Sequence, residues 1–149
     1  MRWRMPSVVE DQQRRFEADP EIRQLIGPTQ IAYAGFLHAP QAERSTSLLQ
    51  SCSDRQRPHI PLTFTQFGYN SDFVLSSCTV GQNEITFESR FILNGVCVLL
   101  RGSLNRETLV GTSTLNYDAE NAEIEERKRQ EVIANYGERI RAIQRRFNL

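Results

Sequence analysis

The sequence predicts an α+β protein: a small β-barrel or meander with helices gathered at the two chain ends. Helix signals cluster in the N-terminal third and again from Asp118 onward, while strand signals fill His59 to Tyr117. No internal repeat and no alternation of strand and helix interrupts that division. At 149 residues the chain is long enough to bury a substantial core as one domain.

The N-terminal third reads as short helices. Val9, Gln13 and Phe16 form a candidate stripe on the first turns. Asp19-Pro20-Glu21 then puts a capping acid before a proline at the first helical position, and Gly27-Pro28 closes that helix about two turns later. Gln30 to Phe36 is a brief extended piece with Ile31, Tyr33 and Gly35 on one side. Ala39-Pro40 opens another helix through Gln50, anchored by Leu48 and Leu49.

The middle reads as five strands. Leu62, Phe64 and Gln66 alternate with Thr63 and Thr65, and further strands follow at Asp72 to Thr79, Glu84 to Leu93, Val96 to Arg101 and Thr108 to Tyr117. Gly81-Gln82-Asn83 and Asn94-Gly95 are turn signals. Asn-Gly is the stronger, because a type I′ hairpin needs positive φ at both central residues. From Asp118 the chain reads as one long helix. Its stripe of Val132, Tyr136, Ile140, Ile143 and Phe147 is expected to dock on the domain, with a partner-binding face as the alternative. Gly137 is a place where that helix could bend.

Composition narrows the function classes. Eighteen basic side chains balance eighteen acidic ones, and all the basic residues but Lys128 are arginine. Such a neutral chain has no broad positive field for nucleic-acid phosphates. The opening residues lack the apolar stretch of a secretory signal, and the apolar window Phe91 to Leu100 is too short to span a bilayer, which needs about 20 residues. Three cysteines (Cys52, Cys78, Cys97) without C-x-x-C spacing suggest reduced thiols in a cytosolic or nuclear protein.

Catalytic signals are lacking. His38 and His59 both stand beside prolines in expected loops, and no nucleophile elbow, zinc-protease motif or phosphate-binding loop occurs. Cys97 falls in an apolar strand, where a thiol is expected to be inert. Glu120, Glu123, Glu125 and Glu126 suit the N-terminal end of the last helix. The expectation is a non-enzyme with no catalytic residue, metal site, cofactor or small-molecule substrate. A small single-strand nucleic-acid binder, stacking bases on Phe64, Phe67, Tyr69 and Phe73, is the alternative. Against it, no arginine or lysine lies between Arg57 and Arg90. Gly68-Tyr69-Asn70 and Leu93-Asn94-Gly95 are polar punctuation on an apolar sheet, readable as turns or as an interface.

At these residues the sequence resembles the core-binding factor β subunit family, the non-DNA-binding partners of Runt-domain transcription factors. The family's opening motif is matched by Met5-Pro6-Ser7-Val8-Val9-Glu10-Asp11-Gln12 with Phe16-Glu17. Its Tyr-x-Gly-Phe is matched by Tyr33-Ala34-Gly35-Phe36, with Glu43-Arg44 after it. The run Ile92-Leu93-Asn94-Gly95-Val96-Cys97-Val98 matches unchanged, and Arg101-Gly102, Leu109, Gly111, Leu115 and Asp118 continue in register. The resemblance covers Met5 to Glu126. It implies a core domain over residues 1–126, with a C-terminal amphipathic helix over 118–149 packed on it or extending from it.

The implied fold is a six-stranded, partly open Greek-key barrel, loosely OB-like, packed with N-terminal helices and the long C-terminal helix. The implied function is a nuclear transcriptional cofactor, cytoplasmic when unpartnered. It would heterodimerise with a Runt-domain protein and raise that partner's DNA affinity without touching DNA or membrane. Family interface positions map onto Gly68, Asn70, Phe91, Leu93 and Asn94, with Val8 a further candidate. Asn94 and Asn70 would be polar anchors, Gly68 a point of close backbone approach, and Phe91 and Leu93 apolar area. The chain departs from the family at Ser7, where the pattern has a basic residue, and at Val74, where it has glutamine. It also has a short insertion around Gln66-Phe67, a shorter connection from Ser76 to Glu88, and Leu100 and Ser103 where tryptophans stand.

Overall fold

A computed structural model describes residues 7–147. Two short helices, α1 (Gln12–Ala18) and α2 (Pro20–Ile26), precede strand β1 (Thr29–Tyr33) and helix α3 (Gln41–Cys52). Six strands follow: β2 (His59–Phe64), β3 (Tyr69–Val74), β4 (Ser77–Val80), β5 (Glu84–Leu93), β6 (Val96–Asn105) and β7 (Val110–Tyr117). Helix α4 (Ala119–Arg146) ends the described chain. Met5 and Pro6 of the opening motif lie outside the described residues.

The seven strands form one antiparallel sheet in the order β3-β2-β1-β7-β6-β5-β4. Its two edge strands, β3 and β4, are joined by Leu75 and Ser76 alone. Two residues reach only about 7 Å, so the sheet must curl until its edges nearly meet. Leu75 N–H donates to Pro58 O on the β2 side at 2.9 Å, and Ser76 N–H donates to Glu88 O on β5 at 2.8 Å. The result is the expected partly open barrel with helices from both termini. Its strands number seven rather than six because Asp72 to Thr79 is two strands that pair with different neighbours. Around the barrel each strand lies beside its sequence neighbour, as in a meander, where the resemblance implied a Greek key.

Alternation explains the core. On β2 the inward residues Ile60, Leu62 and Phe64 are buried, and Ile85 and Phe87 repeat the pattern on β5. Residues 96–100 of β6 are buried throughout, because the barrel interior lies on one side and α1 and α4 on the other. Leu48 and Cys52 of α3, with Ile22 and Leu25 of α2, complete the main cluster. Each fully buried aliphatic side chain contributes roughly 1.5–3 kcal/mol of transfer free energy.

Helix α2 starts as its sequence requires. The Asp19 carboxylate accepts from Glu21 and Ile22 N–H, with Pro20 at the first position. Three expectations are corrected. On α1 the buried glutamine is Gln12, with Gln13 exposed, so the stripe is offset by one residue. β1 stops at Tyr33, because Gly35 to His38 form a turn in which Phe36 has φ +50°. Helix α4 runs unbroken through Gly137, but its apolar stripe does not dock. Only the first turns meet the barrel, where Ala122 is buried against Val8 and Cys97, while Tyr136, Ile140, Ile143 and Phe147 stand exposed.

Candidate protein interface at the barrel end

The β5–β6 hairpin has the two-residue turn expected of Asn-Gly. Asn94 and Gly95 have φ of +50° and +80°, between paired Leu93 and Val96. Glycine is needed at position 95 for a second reason. A Cβ there would stand 2.6 Å from Val9 Cγ1, since Val9 N–H donates to Gly95 O at 2.9 Å and lays the N-terminal segment over the turn. The Asn94 amide is held from the other side. Its Nδ2 donates to Glu21 Oε2 at 3.1 Å and to the Asp19 carboxylate at 3.3 and 3.4 Å. The Asp19 pKa lies below the ordinary 3.8, chiefly through the Ile22 N–H, with the Asn94 amide and Glu21 N–H adding to it. The tether uses only the Asn94 nitrogen and leaves its amide oxygen to other donors.

The β2–β3 hairpin presents the second element. Gly68 takes φ +67°, its N–H donating to Phe64 O at 2.9 Å, and nothing lies within 4 Å of where its Cβ would be. Asn70 is paired with Thr63 across the two strands, and its side-chain oxygen accepts from the Thr63 hydroxyl.

Between β3 and β5 the barrel leaves a cleft of about 340 Å³. At one end the Ser89 hydroxyl donates to Val74 O at 2.6 Å; next, Phe73 packs on Phe91 with ring centroids 5.2 Å apart. Moving back along β3 therefore moves forward along β5. That direction carries Gly68 and Asn70 to the same end of the barrel as Leu93 and Asn94. Phe91 and Leu93 are half-buried against the core and line the cleft with Tyr69, Arg90 and Ile92.

Five of the six residues singled out in the sequence thus gather at one barrel end. Val8, next to Val9 on the Gly95 turn, is buried between Cys97 of β6 and Ala122 of α4 and offers no exposed surface there. Tyr69, read in the sequence as a stacking aromatic beside Gly68 and Asn70, is exposed at this end, as is Ile92. The Asp19 and Glu21 tether to Asn94 was missed, because those acids read only as a helix start. Phe64 and Phe73 lie in the core, so two of the four aromatics of the nucleic-acid alternative have no face for a base.

Cys78 and Cys97 are poor nucleophiles. Burial pushes Cys97 up to about 11 and Cys78 up to about 12, Cys78 with added repulsion from neighbouring Cys52. At pH 8 in the native state these two thiols are expected to react with Ellman's reagent far more slowly than in urea, where they should react at once. Fast native labelling of Cys97 would contradict its burial. Among the described residues no group of histidines, cysteines and acids could hold a metal ion, and no helix is long and apolar enough to cross a membrane.

Comparison with known proteins identifies a family. A family model described as core binding factor beta subunit matches residues 5–148. Protein big brother of Drosophila melanogaster is 29% identical over 151 aligned residues, covering 93% of this chain and 70% of that protein. Protein brother of the same organism is 26% identical over 150, covering 93% and 69%.

Proposed function

The chain belongs to the core binding factor beta subunit family, and on that premise we propose that it pairs with a Runt-domain transcription factor and raises that partner's DNA affinity without touching DNA. The family's role is that of a Runt-domain partner in transcription; the coupling and the contact residues are this chain's proposed share of it. The reading is carried by one observation, the convergence of Gly68, Asn70, Phe91, Leu93 and Asn94 at one end of the barrel. Phe91 and Leu93 offer partly covered apolar area, and the two asparagines flank it with polar groups on rigid hairpins. The formal charge of zero fits a subunit that acts on DNA binding through another protein.

The proposed coupling is heterotropic. Binding that favours the DNA-competent arrangement of the partner is worth about 1–3 kcal/mol, and linkage makes it reciprocal. The protein is read as a non-enzyme that works in the nucleus with its partner. In a gel-shift titration it is expected not to move duplex DNA alone, and to tighten the shift made by a Runt domain. No enhancement at saturating protein would overturn the reading.

Gly68 gives a clean probe of the docking face. Asparagine tolerates the positive φ, and its Cβ would meet open space, so Gly68→Asn should change stability by no more than about 0.5–1 kcal/mol. The added side chain would project where the partner's backbone approaches. Heterodimer affinity measured by calorimetry should therefore fall about tenfold or more, or at least 1.4 kcal/mol. Unchanged affinity would remove Gly68 from the interface. Asn94→Ala is less clean, because alanine strains at φ +50° and releases the tether to Asp19 and Glu21; Asn94→Gly relieves the strain but still releases the tether.

A further inference from the structure

Helix α4 carries an apolar face that the barrel does not use. Ala122 is buried on β6 and Val8, and about three turns further along Ile133 stands on the same side of the helix. From there Ile133, Tyr136, Ile140, Ile143 and Phe147 follow in alternate steps of three and four residues, the spacing of a helix–helix seam. Ile133, Ile140 and Ile143 are 48%, 38% and 51% exposed, although each is an isoleucine at a seam position. A soluble helix polar on its other faces gains nothing from such a row unless something covers it.

Charge indicates what covers it. Residues 132–147 hold four arginines (Arg139, Arg141, Arg145, Arg146) and one acid, Glu138, which pairs with Arg141. Arg139 and Arg146 fall on one flank of the apolar row, seven residues apart. The other acids of α4, Glu120, Glu123, Glu125, Glu126 and Glu131, all precede Ile133 on the side nearer the barrel. In a parallel second copy Arg139 would face Gln144 of the other helix and meet no carboxylate. An antiparallel copy in register would place Arg139 against its own counterpart.

We propose that the outer half of α4, Ile133 to Phe147, is a docking surface for an acidic amphipathic helix of another protein, whose apolar stripe covers Ile133, Ile140 and Ile143 while its carboxylates meet Arg139 and Arg146. The inference is independent of the Runt-domain reading, since it uses a different surface.

The test titrates the full chain against a fluorescent synthetic helix with leucine and isoleucine at the seam positions and glutamate on both flanks. The same peptide with lysine flanks and a scrambled peptide serve as controls. The glutamate-flanked peptide should bind, and both controls should bind at least tenfold more weakly. Ile140→Asp, a change at an exposed position, should abolish binding without moving the thermal midpoint. Arg139→Glu with Arg146→Glu should weaken the glutamate peptide and strengthen the lysine one. Gly68→Asn should leave peptide binding unchanged, which separates this surface from the barrel end. Equal binding of the glutamate and lysine peptides, no binding of either, concentration-dependent self-association in sedimentation, or binding only to anionic phosphatidylserine vesicles would each overturn the proposal.

Discussion

Gly111→Ala is expected to be the most damaging single-methyl change in the barrel. Gly111 lies in β7, opposite Leu104 of β6 and Ile31 of β1, where the sheet is bonded on both sides. A Cβ at this position would stand 1.7 Å from Ser103 O and 2.7 Å from its carbonyl carbon. Both are backbone atoms, so relief requires β6 and β7 to separate, with loss of ladder hydrogen bonds. Overpacking in a well-packed site costs roughly 1–3 kcal/mol even where side chains can move, and backbone that cannot yield puts this change at about 3 kcal/mol or more. Urea denaturation should show a much lower midpoint, or no folded protein at all. A midpoint within about 1 kcal/mol of wild type would show that β6 and β7 are not packed this closely.

Gln12→Ala is the second large effect, and it acts through hydrogen bonds. Gln12 is a buried polar side chain on α1. Its Nε2 donates to Ala122 O on α4 at 3.0 Å, and its Oε1 accepts from Cys97 N–H on β6 at 2.9 Å. One amide thus joins three elements through both of its polar ends. Alanine would leave the buried Cys97 N–H unpaired, at about 1–3 kcal/mol, and would remove the second hydrogen bond from Ala122 O, which keeps its helical one, besides the lost packing. The expected loss is about 2–5 kcal/mol, with the junction of α1, β6 and α4 loosened first. Hydrogen exchange at Cys97 N–H should accelerate well beyond the change at Leu115, deeper in the barrel. Uniform acceleration would mean that Gln12 acts on global stability alone.

Both residues show what the sequence hides. Asn94-Gly95, Asp19-Pro20-Glu21 and the β2 alternation are local signals, each satisfied within a few residues, and the structure forms each of them. Gln12 and Gly111 matter through partners more than seven residues away in the chain, Ala122 among them, so no local pattern marks them. The stretch Asp72 to Thr79 looked continuous because its composition is strand-like throughout. Its division at Leu75 and Ser76 is imposed by barrel closure, which is a property of the whole sheet. The α4 stripe was legible as amphipathic, but periodicity says that a face is apolar and not what lies beneath it.

The candidate interface follows the same rule. Family motifs supplied its residues as separate positions along the chain. Curling of the sheet supplies their neighbourhood, through the antiparallel run of β3 past β5 and the Phe73–Phe91 contact. Val8 offers no surface for an equally physical reason, because α4 covers it.

The most direct test of the central claim is a thermodynamic cycle. The affinity of this protein for a Runt domain is measured by calorimetry with and without duplex DNA, and the Runt domain's affinity for that DNA is measured with and without this protein. Coupling through the partner requires the two ratios to be equal, at about 5–150-fold for 1–3 kcal/mol. The protein alone should give no signal with DNA at the same concentrations. Ratios of one, or binding of DNA by this protein on its own with a steep salt dependence, would contradict the account.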